Sequence, residues 1–269
     1  MYIFLLVILI LFLFYVLSTM CRKGHKVLSE LRGWAYAHRG LHGDGVPENS
    51  LEAFSKAVDA GYGSELDVHL LADGNLAVIH DSLLKRTTGA DGRVEDLTAD
   101  QLSSMLLEGT QQTIPLLEQV LEVYAGKAPL IIELKPVGNN IDALCKKACE
   151  LLDTYSGIYC VESFDPRCVF WFTKHRPDII RGQLTENFFL SQGSRLPAVV
   201  KFLMKTQMFN FMTRPDFIAY KFQDRQRFSN FLCRKVWGAQ GVTWTLTSRE
   251  QYDTALIEGW IPIFEGFCP

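Results

Sequence analysis

Apolar and polar positions alternate along this chain in two distinct registers. After a first, wholly apolar run, short apolar runs of four to six residues recur, separated by longer stretches with amphipathic periodicity. The short runs are Ala35–Arg39, Ser64–Val68, Leu130–Leu134, Tyr159–Phe164, Ile179–Leu184, Asp216–Lys221, Gly241–Leu246 and Pro262–Glu265. Such alternation predicts parallel strands joined by helices. Eight strands is the count for a (β/α)8 TIM barrel, and 269 residues suit one. Leu76–Ile79 is a ninth run. It follows the tight turn Ala72–Asn75 and reads as the return arm of a hairpin, not as a barrel stave.

The intervening stretches read as helices. Ser50–Ala60 has an N-cap at Asn49 or Ser50, a stop at Gly61, and an apolar stripe of Leu51, Phe54, Ala57 and Val58. Leu116–Tyr124, Ile141–Leu152, Arg167–His175 and Glu250–Glu258 are further helices. Leu196–Met212 mixes Val, Phe, Leu and Met with Lys201 and Lys205. It reads either as a helix covering the barrel or as an amphipathic segment resting on a bilayer.

Tyr2–Leu17 carries no charge and is almost wholly Ile, Leu, Val and Phe. With Ser18, Thr19 and Met20 it approaches the roughly 20 residues that span a bilayer as a helix. A secretory signal peptide would have a basic residue ahead of this run, and none is there. Met20 before Cys21 is a poor fit to a lipoprotein signal, and the absence of a polar face argues against a core helix. The expectation is a retained anchor over 1–21, a polar linker over 22–33 and a barrel over 34–269. Arg22, Lys23, Lys26 and Arg32 all follow the run. By the positive-inside rule they make the chain a single-pass protein of the cell membrane with its barrel in the cytoplasm. Seven cysteines, an odd number without a CxxC pair, agree with a reducing compartment. A net charge of −3 with scattered lysines and arginines argues against a nucleic-acid partner.

Candidate chemistry sits at the predicted strand ends, where a barrel of this type holds its active site. Glu65 and Asp67 are two apart and point to one side of their strand. Neighbouring inward carboxylates resist ionising together, and a hard divalent cation, Mg²⁺ or Ca²⁺, would relieve the repulsion. Glu133 on the next strand is the natural third ligand. The competing reading pairs these carboxylates with Arg39 and Lys135. His38 and His80 are candidate acid and base, with either role open to either residue. Arg39 offers a planar fork for the oxygens of an anion, and Lys135 a compact positive charge. Glu48 could bind the metal, hydrogen-bond a substrate hydroxyl or hold Arg39. Among the other histidines, His42 would line the entrance, His69 would support the carboxylates, and His25 and His175 would lie at the surface.

The ordered set His38-Arg39-Gly40, Pro47-Glu48-Asn49, Glu65-Leu66-Asp67, His80-Asp81 resembles the glycerophosphodiester phosphodiesterase family. Glu133-Leu134-Lys135 and, more weakly, Trp244-Thr245 extend the resemblance over almost all of the chain after the first thirty or so residues. It implies metal-dependent hydrolysis of glycerophosphodiesters to sn-glycerol 3-phosphate and an alcohol. It also implies a Mg²⁺ or Ca²⁺ ion on Glu65, Asp67 and Glu133, and a site role for Glu48. Trp244 would then wall the glycerol carbons. The chain departs from the family pattern at Ala72, where a threonine is common, and at Phe264-Glu265-Gly266, where an aspartate near a proline is usual. No eighth helix is expected after the last strand, and the linker is expected in its place. Two other readings compete: a lysophospholipase D or phospholipase-D-like enzyme acting on lysolipids or membrane lipids, and a non-catalytic membrane-tethered binding module.

Overall fold

The computed structural model of the chain describes residues 1–191 and 196–269. Among the described residues nine strands form one sheet: β1 Tyr36–His38, β2 Gly63–Leu70, β3 Leu76–Val78, β4 Leu130–Leu134, β5 Tyr159–Ser163, β6 Arg181–Thr185, β7 Phe217–Lys221, β8 Gln240–Leu246 and β9 Trp260–Phe264. The order β1-β9-β8-β7-β6-β5-β4-β2, with β1 also paired to β2, closes eight parallel staves into a barrel. β3 pairs antiparallel with β2, so Leu76–Val78 is the hairpin arm that the sequence predicts. Every predicted stave is present, within three residues at either end.

Helix α2, Leu51–Asp59, starts at Ser50, whose hydroxyl accepts from the Ala53 amide. Its buried face is Ala53, Phe54 and Ala57, with Leu51 and Val58 half-buried. The predicted helices at Leu117–Tyr124, Ile141–Leu152, Pro166–His175 and Arg249–Ile257 are also present. Within Leu196–Met212, Ala198–Lys205 forms a helix with no buried residue.

Helix α1, Tyr2–Ser18, is the apolar N-terminal run, and Tyr2–Phe14 is exposed. No helix among the described residues is long and apolar enough to cross a membrane. Residues 22–33 are packed on the barrel. Arg22 pairs with Asp216 and donates to the Pro177 carbonyl, and Arg32 Nε donates to Gln240 Oε1 at 2.8 Å. Leu31 is buried with Tyr36, Ile131, Ile180, Phe217, Val242 and Ile263. All of these but Ile263 lie in or just before the N-terminal half of their staves, so this segment plugs the barrel's bottom and does not stand in for an outer helix. Among the described residues no helix follows β9. There Phe267 packs against Phe264 and Tyr252 in edge-on ring contacts.

Candidate active site

Strand register sets the site's floor. His38 lies opposite Glu65, Asp67 opposite Glu133, and Glu133 opposite Glu162 across neighbouring staves. All four carboxylates are buried. With His38, Arg39, His80, Phe164 and Trp244 they line an inner chamber of about 160 Å³. An outer vestibule of about 770 Å³ shares His80, Glu133 and Phe164 with it, and Lys135, Asp81 and Arg86 line it too.

The segment between β1 and α2 delivers two cationic and polar contacts. Arg39 and Asn49 both adopt positive φ, 54° and 55°, and the Asn49 amide donates to the Arg39 carbonyl at 2.9 Å. This tight crossing aims Arg39 Nε at Asp67 Oδ2 (3.3 Å) and Asn49 Nδ2 at the same oxygen (2.9 Å). Gly40, at φ 77°, is required there because a Cβ would lie 2.8 Å from the Ala53 backbone. Glu48 accepts from Arg39 Nη1 at 3.0 and 3.1 Å and from Arg86 at 2.6 and 3.0 Å. Of the three uses open to Glu48, holding Arg39 is the one observed.

One atom each from Glu65, Asp67 and Glu133 lies within 4.8 Å of the others. Lys135 Nζ bridges Asp67 Oδ1 (2.9 Å) and Glu133 Oε2 (2.7 Å). The cation pairing weighed against a metal therefore exists for Asp67 and Glu133, but it does not extend to Glu65. Glu65 Oε2 is buried without a hydrogen-bond partner. His38 Nε2 lies 3.8 Å from it. Burial, with Asp67 and Glu133 adding to it, pushes the Glu65 carboxyl well above its usual range. Burial likewise raises Glu133 to about 7, against the opposing pull of Lys135. Burial would raise Asp67 as well, but Lys135, His80 and Arg39 outweigh it and hold that carboxyl well below its usual range. Three converging carboxylates, one with an orphaned oxygen, fit a hard divalent cation.

Two imidazoles flank this cluster. His38 Nδ1 meets Glu265 Oε2 at 2.8 Å, and His80 Nδ1 meets Asp81 Oδ1 at 2.6 Å. Burial lowers both, His80 to about 4, so both are neutral near pH 7. Arg86 pairs with Asp81 and so joins the His80 support to Glu48.

The comparisons with known proteins agree with this geometry. Residues 38–256 match the glycerophosphoryl diester phosphodiesterase family. The chain belongs to that family. A glycerophosphodiester phosphodiesterase of Bacillus altitudinis is 44% identical over 107 residues, 37% of this chain and 43% of that protein. A rat protein named lysophospholipase D is 37% identical over 132 residues, 44% of this chain and 40% of that protein. The chain thus spans less than half the length of these two curated relatives. The crystal structure of a glycerophosphodiester phosphodiesterase from Thermotoga maritima superposes with a TM-score of 0.65 at 26% identity, covering 86% of this chain and 93% of that one.

All nine site residues expected from the sequence lie at this end of the glycerophosphodiesterase barrel: His38, Arg39, Glu48, Glu65, Asp67, His80, Glu133 and Lys135, with Trp244 on the chamber wall. Trp244 meets Phe164 edge-on at 5.6 Å. His69 is buried, held by Glu95 (2.7 Å) and the His80 carbonyl (3.2 Å), and steadies the chain beneath His80. His42 Nε2 lies 3.4 Å from Glu265 Oε1. Sequence reasoning missed Glu162, Asn49, Asp81, Arg86 and the contact of Glu265 with His38. In the sequence Glu265 stands out only as a departure from the family pattern, yet the last stave of a closed barrel lies beside the first.

Proposed function

We propose that this chain hydrolyses glycerophosphodiesters to sn-glycerol 3-phosphate and an alcohol, with Mg²⁺ or Ca²⁺ held by Glu65, Asp67 and Glu133. The observation that carries this reading is the convergence of those three buried carboxylates between His38 and His80 in one small chamber. A bound divalent cation would lower the charge on the phosphoryl oxygens and orient the attacking group. Arg39 and Lys135 stand at the same rim and would offset the charge that grows on phosphorus oxygens in the transition state. The carboxylates of Glu265 and Asp81 occupy Nδ1 of His38 and His80, which leaves each Nε2 as the working nitrogen. In the reacting form one imidazole would be neutral and take a proton at Nε2 from the attacking water. The other would be doubly protonated, a minor form near pH 7, and give its Nε2–H to the leaving alkoxide. Where the glycerol hydroxyl attacks instead, water then opens the cyclic phosphate. Purified protein should release glycerol 3-phosphate from glycerophosphocholine, and the alcohol should be the only other product.

A second reading is favoured by an apolar cleft of about 500 Å³, lined by Phe164, Phe188, Leu196, Val200, Met204 and Phe209. It shares Phe164 with the chamber and would take the acyl chain of a lysolipid, the substrate class in the name of the rat relative. Comparing kcat/KM for glycerophosphocholine and lysophosphatidylcholine separates the two. The first reading predicts the advantage for glycerophosphocholine, because a site that hydrogen-bonds free hydroxyls rejects analogues lacking them. A non-catalytic module is disfavoured, since every expected catalytic position is filled.

Helix α1 also supports membrane attachment. Its apolar side chains from Tyr2 to Phe14 are exposed, and basic residues follow it, which would keep the barrel on the cytoplasmic side. Protease added outside right-side-out vesicles should leave the barrel intact, and its cleavage would reverse that orientation.

A further inference from the structure

The direction of helix α1 along the barrel can be read from its contacts. The connection from β7 to β8 runs from the mouth, where strands end, to the bottom, where they begin. Phe228 stands near its start and Trp237 near its end. Trp237 Nε1 donates to the Val16 carbonyl (3.1 Å) and lies 3.1 Å from Thr19 Oγ1. At the other end, the Phe228 ring contacts Tyr15 at 6.3 Å and Phe12 at 6.4 Å. Arg22, just beyond the helix, pairs with Asp216 immediately before β7. Helix α1 therefore climbs the outside of the barrel from bottom to mouth. Residues 2–11 continue past Phe228 on the mouth side for about 15 Å at 1.5 Å per residue.

The rim on that same side exposes large apolar residues. Leu83 is 60% exposed, Leu190 76% and Val199 69%. Leu83 borders the vestibule, and the other two belong to the chain leaving the end of β6. Lys85, Arg86 and Arg167, with side chains 47–68% exposed, are each paired to a carboxylate: Lys85 to Asp91, Arg86 to Glu48 and Asp81, and Arg167 to Asp165. Large exposed apolar residues beside ion pairs suit the interfacial region of a bilayer. The apolar cleft that adjoins the chamber opens beside the same chain segment.

We propose that the chain sits on a bilayer with its catalytic mouth turned toward the membrane, helix α1 entering the lipid from the mouth side. This rests on the reading of α1 as a membrane segment. Substrate then reaches the chamber from the bilayer surface, and the barrel's bottom, plugged by Leu31, faces the aqueous phase. The arrangement goes further than attachment by a tether, because the contacts of Phe12, Tyr15 and Val16 fix the angle at which the barrel is presented.

The test uses the full chain with Cys268, the one exposed cysteine, replaced by C268S. Single cysteines are then introduced as L83C and L190C at the mouth and as I257C, 87% exposed, at the bottom just ahead of β9. Each is labelled with an environment-sensitive fluorophore and mixed with phosphatidylcholine–phosphatidylglycerol vesicles, with and without doxyl-labelled lipid. Co-sedimentation in the same tubes reports attachment. The expected result is co-sedimentation of all three, with doxyl lipid lowering emission at least twofold at positions 83 and 190 and leaving position 257 unchanged. Co-sedimentation with quenching at 257, or with equal quenching at both ends, overturns the orientation and leaves the membrane reading standing. No co-sedimentation overturns both.

Discussion

Asp67 is the electrostatic centre of the site. Lys135, Arg39 and Asn49 all reach its carboxylate, so it stays charged despite full burial. Glu65 and Glu133 are left with too little positive charge, and burial raises both. That imbalance has a sign that can be measured. A carboxyl raised on folding binds a proton more tightly in the folded chain, so stability falls as pH rises from the usual carboxylate range through about 7. The lowered His38 and His80 act in the opposite direction over the same interval, so the carboxyl effect is read against Glu133→Gln. From pH 5.5 to pH 8 the metal-free parent should lose Tm relative to that variant, and Mg²⁺ or Ca²⁺ should remove much of the difference. A melting curve series with and without chelator checks this. Equal Tm changes in parent and variant would show that Glu133 is already ionised. His38→Ala and His80→Ala should each lower kcat by at least about 10²-fold while cation binding is retained. Near-native turnover on a substrate with a poor leaving group would remove that histidine from the proton-transfer pair. Residue types were readable at this scale because His, Glu and Asp at strand ends have few uses in a barrel. The partners were less readable. Glu162 looks like one charged residue in an apolar run, and only the β4–β5 register sets it beside Glu133.

Between β1 and α2, one short loop aims two side chains at Asp67. Its geometry depends on Gly40, whose positive φ and closeness to Ala53 leave no room for a side chain. Gly40→Ala should cost at least about 1 kcal/mol from the left-handed backbone alone, before the contact with Ala53 is counted. A urea midpoint unchanged from the parent would show that the loop has another conformation available. The β2–β3 hairpin and the eight staves were legible as elements because short apolar runs bounded by turns have a clear period. Residues 26–31 were not. Their apolar members, Val27, Leu28 and Leu31, are too few to announce a plug, and Leu31 gains its meaning only from the ring of staves around it.

At the scale of the whole molecule, the barrel brings segments from opposite ends of the chain into one site. Glu265 on the closing stave holds His38 on the first, a pairing that exists only because the sheet is closed. Closure itself was expected from the strand count, but the angle of helix α1 was not, since it is set by Phe228 and Trp237 more than two hundred residues away in the chain. The role proposed for Glu65, Asp67 and Glu133 is to hold a divalent cation without which the chamber does not cleave glycerophosphodiesters. The most direct measurement is the rate of glycerol 3-phosphate release from glycerophosphocholine by chelator-treated protein as Mg²⁺ or Ca²⁺ is titrated back, run beside Glu65→Gln. The expected result is no turnover without the cation, saturable recovery with it, and little recovery in the variant at any concentration. Full activity in excess chelator would contradict it.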